Sequence, residues 1–323
     1  MLTTTTKPLC QTSPTQTTGD KRVFAHGNLY TYQIEAPLYQ GKTSTLYRAS
    51  QKGHDDNPVI IKAAHPDGLN DLLKEANTLR ALIGLQGDIK DLLTPYLPAF
   101  IEECDFQEIE ENIPQAPPKY IDPFTALLGT TRGLGTSKPV RSYNALAFGF
   151  FEDMLSVSDL RDLFPDGLDA QDSAWMFRRL MMALGLVHGA GYTHNNISLS
   201  HVLVLPEQHG LVLCDWTNAT DWEQSFRATP ENHQDEIHAE AKQAATNDIS
   251  CAAQIVIKVT NQQTMPQRLA SFYRYLAKAP SGHLTAFDLL DNYKTLTEDL
   301  WGEHQFRPFE MPEINKPTTK ERP

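Results

Sequence analysis

Two groups of polar residues have types and spacing suited to chemistry. The first is Lys62, which closes the apolar run Val59-Ile60-Ile61, with Glu75 thirteen residues later. A lysine on a strand and a glutamate on the neighbouring helix can pair, and the lysine can then hold a phosphate. A strand-end lysine and a solvated helix glutamate are the plainer reading of the same residues. The second group runs from His188 to Thr217 and contains His194-Asn195-Asn196, Ser198, His201 and Asp215-Trp216-Thr217. Here a long helical pattern meets glycines, a polar loop follows, and a short apolar hairpin ends in an acid. His201 has the chemistry of a ligand for a zinc-like metal rather than Mg²⁺, which favours oxygen; a hydrogen-bonded loop histidine is the commoner case. His194 reads as a packed histidine and Cys214 as a buried small hydrophobe. His233 and His238 lie in an acidic stretch without a third ligand at a suitable spacing.

The elements that must position these groups fall into two sets. Residues 29–62 read as strands and turns: Leu29–Leu38, the turn Gly41-Lys42-Thr43-Ser44, then Thr45–Ala49 and Val59–Lys62. Leu69, Leu72, Leu73, Ala76, Leu79 and Ile83 then repeat with helical period, which predicts a helix over 68–85 carrying Glu75. Strands are expected again at 98–106 and 143–151, separated by an insertion at about 107–141 that holds five prolines. From about residue 155 the pattern is helical, with Ala174, Phe177, Leu180, Met181, Leu184 and Val187 on one face of 171–189. A hairpin of Val202–Leu205 and Leu211–Cys214 follows, then helices at about 246–259, 265–278 and 285–300. Strands with one helix, then helices with one hairpin, predict an α+β protein of two lobes.

The composition is globular: 323 residues, 40 % apolar and 21 % charged, enough chain for a real core. It excludes collagen, a coiled coil and wholesale disorder. With 28 basic and 40 acidic residues the net charge is −12, which argues against wrapping nucleic acid or lying on an anionic membrane. No run of 18 apolar residues and no secretory signal is expected. The scattered Cys10, Cys104, Cys214 and Cys251 predict a reduced, cytoplasmic protein. Residues 1–22, rich in Thr, Ser and Gln, read as a disordered arm, and 301–323 as a C-terminal tail.

Taken together, the two groups resemble the protein kinase family over about residues 29–300. Val59-Ile60-Ile61-Lys62 is similar to the Val-Ala-Ile-Lys strand, and Glu75 to the acid of the helix that follows it. His194-Asn195-Asn196 stands where the family has His-Arg-Asp, and Asp215-Trp216-Thr217 where it has Asp-Phe-Gly. Thr229-Pro230-Glu231 resembles Ala-Pro-Glu, and Asn247-Asp248-Ile249-Ser250 the start of the helix whose aspartate braces the catalytic loop. The resemblance implies a two-lobed kinase-like fold with a small β-rich N-lobe over 23–151 and a helical C-lobe over 152–300. It implies a nucleotide site of Gly41, Ser44, Ile60, Lys62, Glu75, Leu203 and Asp215, with Asp215 as the metal ligand.

The departures bear on activity. Asn196 stands where the family has its proton-accepting aspartate, and a neutral amide has no basic site near neutral pH. His201 replaces the asparagine that helps hold a second Mg²⁺, and Ser198 replaces a phosphate-clamping lysine. Of the glycine-rich pattern, which maps onto Tyr39, Gly41 and Ser44, one glycine survives. Ile60 replaces the small residue that covers the adenine. Leu79, Trp216 and His194 keep framework positions. Thr220, Ser225 and Thr229 offer surface hydroxyls in the activation-loop region, and Glu231 is expected to meet His283 in place of the usual arginine. The resemblance therefore implies a pseudokinase: a regulatory or interaction module with protein partners, with ATP and Mg²⁺ held weakly and no catalytic residue. The alternative is a divergent active serine/threonine kinase or small-molecule phosphotransferase, which the Asp215-Trp216 pair also resembles.

Overall fold

The computed structural model describes residues 23–108, 143–151, 153–279, 285–303, 305–309 and 311–312. The N-terminal arm, Cys10, most of the 107–141 insertion, His283 and residues 313–323 lie outside the described residues. The chain divides into two compact units.

The first unit, within residues 12–69 and 101–149, is a closed barrel. Its strands are β1 (Val23–His26), β2 (Thr31–Gln40), β3 (Ser44–Gln51), β4 (His54–Ala64), β5 (Phe100–Glu108) and β6 (Ala145–Gly149), in the order β1-β2-β3-β4-β6-β5. Antiparallel pairing of β1 with both β2 and β5 closes it. β1 was not expected from the sequence: four residues beside a Thr-rich arm are too few to show alternation. Period two sorts β4 cleanly. Val59, Ile61 and Ala63 fill the barrel core with Ala25, Tyr32, Ala49 and Cys104, so Ile60 and Lys62 share the opposite face. Burial pushes the Cys104 thiol up to about 12, which makes it a packing residue. Glu102 is buried, and its carboxylate accepts the backbone N–H groups of Leu29 and Tyr30 at 2.8 and 2.9 Å and the Tyr32 hydroxyl at 3.0 Å. A side-chain carboxylate thus pins the β1–β2 turn.

The second unit, within residues 70–100 and 150–323, is helical. It contains α1 (Leu69–Ile83), α2 (Asp88–Leu93), α3 (Val157–Leu163), α4 (Ala170–Gly189), α5 (Trp222–Ala228), α6 (Gln234–Val259), α7 (Gln267–Leu276) and α8 (Ala286–Trp301). Short strands β7 (Leu155–Ser156), β9 (Val202–Leu205) and β10 (Gly210–Leu213) form one sheet, and β8 (Tyr192–Thr193) pairs with β11 (Thr220–Asp221). The core lies between α4 and its neighbours α6 and α8. Phe177, Phe272, Tyr273 and Tyr293 cluster there with ring centroids 4.9–6.2 Å apart. Tyr293 donates to the Ala174 carbonyl at 3.2 Å and accepts from Tyr273 at 2.6 Å, so both buried hydroxyls are satisfied.

Three expectations need correction. The inner face of α1 is Leu72, Glu75, Ala76, Leu79 and Leu82; Leu73, expected inside, is 40 % exposed. That rotation puts Glu75 in the middle of the apolar stripe. α6 begins twelve residues before the expected 246, because 234–245 is alanine-rich and its first-turn Asp235 and Glu236 favour a helix N-terminus. Cys214 is half-buried rather than buried. No helix among the described residues is long and apolar enough to cross a membrane.

Candidate functional site

The loop between β8 and β9 is built around a buried carboxylate. Asp248, on α6 and 2 % exposed, accepts the backbone N–H groups of His194 and Asn195, each at 2.8 Å. His188 Nε2, from the last turn of α4, lies 3.1 Å from the same carboxylate. Asn195 has φ 58°, in the left-handed region that asparagine tolerates better than most residues. Its side-chain amide donates to the Asn218 carbonyl and to Thr220 Oγ1 at 3.1 and 3.0 Å, tying the loop to the segment after Asp215.

His194 is fully buried, with its ring 4.5 Å from that of Trp216. Its Nδ1 accepts the Asn196 N–H at 3.2 Å, so Nε2 carries the proton and donates it to the Cys214 carbonyl at 3.2 Å. Burial lowers its pKa to about 4; Asp248 opposes the shift, His201 adds to it, and Asp215 opposes it. The ring is a neutral structural bridge between the loop and the end of β10.

Asp215 follows β10 with φ 62°. Its Oδ1 accepts the Thr217 hydroxyl at 2.6 Å. Its Oδ2 accepts the Asn196 side-chain N–H at 3.0 Å and lies 3.2 Å from His201 Nε2. The other ring nitrogen of His201 donates to the Asn196 carbonyl at 2.8 Å. Protein groups thus face both oxygens of the acid. On α1, the buried Glu75 accepts the Trp216 N–H at 3.2 Å, and Trp216 Nε1 donates to the Leu213 carbonyl at 2.9 Å. Leu203 is half-buried on β9 between the buried Val202 and Val204.

Mg²⁺ takes oxygen ligands in near-octahedral geometry. Around the Asp215 carboxylate an amide N–H, a hydroxyl and an imidazole nitrogen compete with a cation for its oxygens. No cluster of three or more His, Cys, Asp or Glu suited to a metal exists among the described residues. His233 instead lies 3.1 Å from Glu236, and His238 stacks on Phe226 at 4.5 Å.

The segment after Asp215 is folded back on the loop. Asp221 caps α5 through the Gln224 N–H and accepts the Tyr192 hydroxyl at 2.9 Å. Trp222 Nε1 donates to Thr193 Oγ1 at 2.8 Å. Burial and then Asp221 push Tyr192 up to about 12. The expected surface hydroxyls are engaged: Thr220 accepts from Asn195, Ser225 donates to the Asp221 carbonyl, and Thr229 donates to the Ser225 carbonyl.

In the barrel unit, Lys62 stands opposite Leu46 of β3 and Leu146 of β6, and Ile60 opposite Arg48 and Phe148. Gly41 N–H donates to the Ser44 carbonyl at 2.9 Å, closing the β2–β3 turn. A residue missed in the sequence clasps this turn. His65 donates its backbone N–H to the Thr43 carbonyl at 2.8 Å, while its ring nitrogens lie 2.9 Å from Thr45 Oγ1 and 3.0 Å from the Lys42 carbonyl. Gly68 packs so closely that a Cβ there would collide with the Thr43 carbonyl. The turn is thus held from both sides. His65→Ala is therefore expected to raise amide exchange at Gly41 by about tenfold or more, measured by native-state exchange, since opening free energy sets protection. Unchanged protection would show that the histidine does not hold the turn.

No protein-family model and no curated protein matches this chain. Among solved structures, it is similar to the rhoptry antigen kinase domain of Toxoplasma gondii, at 9 % identity and a TM-score of 0.51. The match covers 87 % of this chain and 86 % of that one. At that identity the likeness establishes a kinase-like fold and nothing of activity.

Proposed function

We propose that this chain is a catalytically impaired kinase-like protein, a regulatory or protein-interaction module that binds ATP weakly or not at all. The observation that carries this reading is the state of Asp215, whose two oxygens face Thr217, Asn196 and His201. Asn196 offers a donor to that acid and no basic atom for a substrate hydroxyl. The clasped β2–β3 turn and the branched Ile60 beside Lys62 support the same reading for Gly41, Ser44 and Lys62. Glu75, Leu79, His194 and Trp216 serve as framework, each buried, and the −12 charge favours protein partners with basic surfaces.

Calorimetric titration with ATP, with and without Mg²⁺ or Mn²⁺, tests the nucleotide part. The expected result is a Kd no tighter than roughly 100 µM, about −5.5 kcal/mol, and no gain on adding metal. Metal-dependent binding in the low micromolar range would overturn it.

A further inference from the structure

The chain beyond α8 does not run free. Gly302, at φ 84°, turns it, and Phe306-Arg307-Pro308-Phe309 returns to the surface of the helical unit. Three separate segments line the groove it enters: Phe164 just after α3, Trp175 on α4, and His209 in the β9–β10 turn. Phe309 is 9 % exposed, with its ring 6.2 Å from Phe164 and 6.1 Å from Trp175. Phe306 lies against His209 at 4.8 Å, and His209 against Trp175 at 4.6 Å. Between the two aromatics, Arg307 donates to Asp169 at 2.9 Å and to Gln171 at 2.8 Å, and its Nε lies 3.8 Å from Asp172.

The segment is attached by its side chains. No backbone hydrogen bond holds 305–309 among the described residues. Arg307 and Asp169 are each close to half exposed, and Phe306 is 73 % exposed. Such an attachment opens far more readily than a strand or a packed helix. Trp175, whose ring meets both His209 and Phe309, also carries an unmet demand: its Nε1 is buried without a hydrogen-bond partner among the described residues. A buried donor of this kind is a costly group that a ligand carbonyl can satisfy. One buried phenylalanine, Phe309, and one surface ring contact, Phe306 on His209, flank an acidic pair; the pattern is specific, since arginine suits planar bidentate recognition and a buried aromatic anchor contributes strongly to peptide binding.

We propose that this groove is a peptide-recognition site, filled in cis by Phe306–Phe309, and that a partner segment of the same aromatic–arginine–x–aromatic chemistry displaces the tail. The site shares no residue with the surroundings of Asp215, and the proposal does not depend on the loss of phosphoryl transfer.

The test uses the full chain and a labelled synthetic peptide with the sequence of residues 303–312, followed by fluorescence anisotropy. The triple variant Phe306→Ala, Arg307→Ala, Phe309→Ala empties the groove and is expected to bind the peptide at least tenfold more tightly than the wild type does. Adding Asp169→Ala and Asp172→Ala is expected to reverse that gain by at least tenfold. Equal affinity of wild type and triple variant, with both folded by circular dichroism, would overturn the proposal. Should the triple variant not fold, a protease site inserted after Gly302 allows the tail to be cut in the folded wild type. The severed tail is then expected to stay bound, and to be displaced by excess peptide but not by the same peptide carrying Arg307→Glu. Loss of the tail on gel filtration, equal displacement by both peptides, or a tail-swapped dimer that the peptide does not dissolve would each overturn the proposal.

Discussion

Asp248→Ala, on α6 beneath the loop, is expected to lower the free energy of unfolding by about 2–5 kcal/mol. The carboxylate is the acceptor for two backbone N–H groups, of His194 and Asn195, and lies against His188. Each buried donor left without an acceptor costs about 1–3 kcal/mol, more where the lost partner was charged. Alanine supplies no acceptor in place of the carboxylate, and the left-handed backbone of Asn195 aims its N–H at that position. Asp248→Asn keeps one acceptor oxygen and is expected to fall between the two. Urea unfolding of the three proteins measures this. A loss below about 1 kcal/mol for alanine would mean that solvent, not Asp248, satisfies the loop.

Acid should weaken the fold in a window set by His194. Its pKa falls from 6.5 to about 4 in the folded state because burial disfavours the cation. The folded state therefore binds fewer protons than the unfolded chain between these values. The sign follows: this contribution is fully present above pH 6.5, declines as pH falls, and is gone below about 4. One such group gives a slope of about 1.4 kcal/mol per pH unit, or roughly 3 kcal/mol over the window. The charged neighbours are Asp248 and Asp215, which favour the cation, and His201, which opposes it. His194→Gln removes the titration while keeping a polar group, so its unfolding free energy should fall less steeply from pH 6.5 to 4.5. Parallel pH profiles for the two proteins would show that His194 does not carry the effect.

How much of this was legible in the sequence follows from where the signal resides. α1 and α4 are long and periodic, and the expected 68–85 and 171–189 agree with the observed Leu69–Ile83 and Ala170–Gly189 to within two residues. The β9–β10 hairpin was equally plain, since two apolar runs flank a turn. β1 was not, because its meaning comes from closing a barrel with β5, a pairing more than seventy residues distant. The burial of Glu75 was hidden by Leu73, which completes an apolar pattern on paper and yet faces outward.

The candidate site was legible in its residue types and not in its bonds. Asn196, His201 and Asp215 stood out because each departs from or keeps a position of the kinase pattern. That Thr217 and His201 would both face the Asp215 carboxylate depends on the left-handed backbone at Asp215, and nothing local in the sequence demands it. His65 gives no signal in the sequence, because a lone histidine after a strand carries no period and no motif. The docking of the tail has no signature in the sequence, since Phe306 and Phe309 sit among prolines and charges with no regular spacing.

Phosphoryl transfer is the most direct measurement of the central claim. The purified chain is incubated with ATP labelled at the γ-phosphate, in Mg²⁺ and in Mn²⁺, with generic protein substrates and alone. Loss of a general base typically lowers the rate by about 10²–10⁴-fold, and here the acid that would hold the metal is also engaged by protein donors. The account predicts incorporation no greater than that of the double variant Lys62→Ala, Asp215→Ala. Incorporation well above that variant, and lost with it, would contradict the account and identify an active kinase.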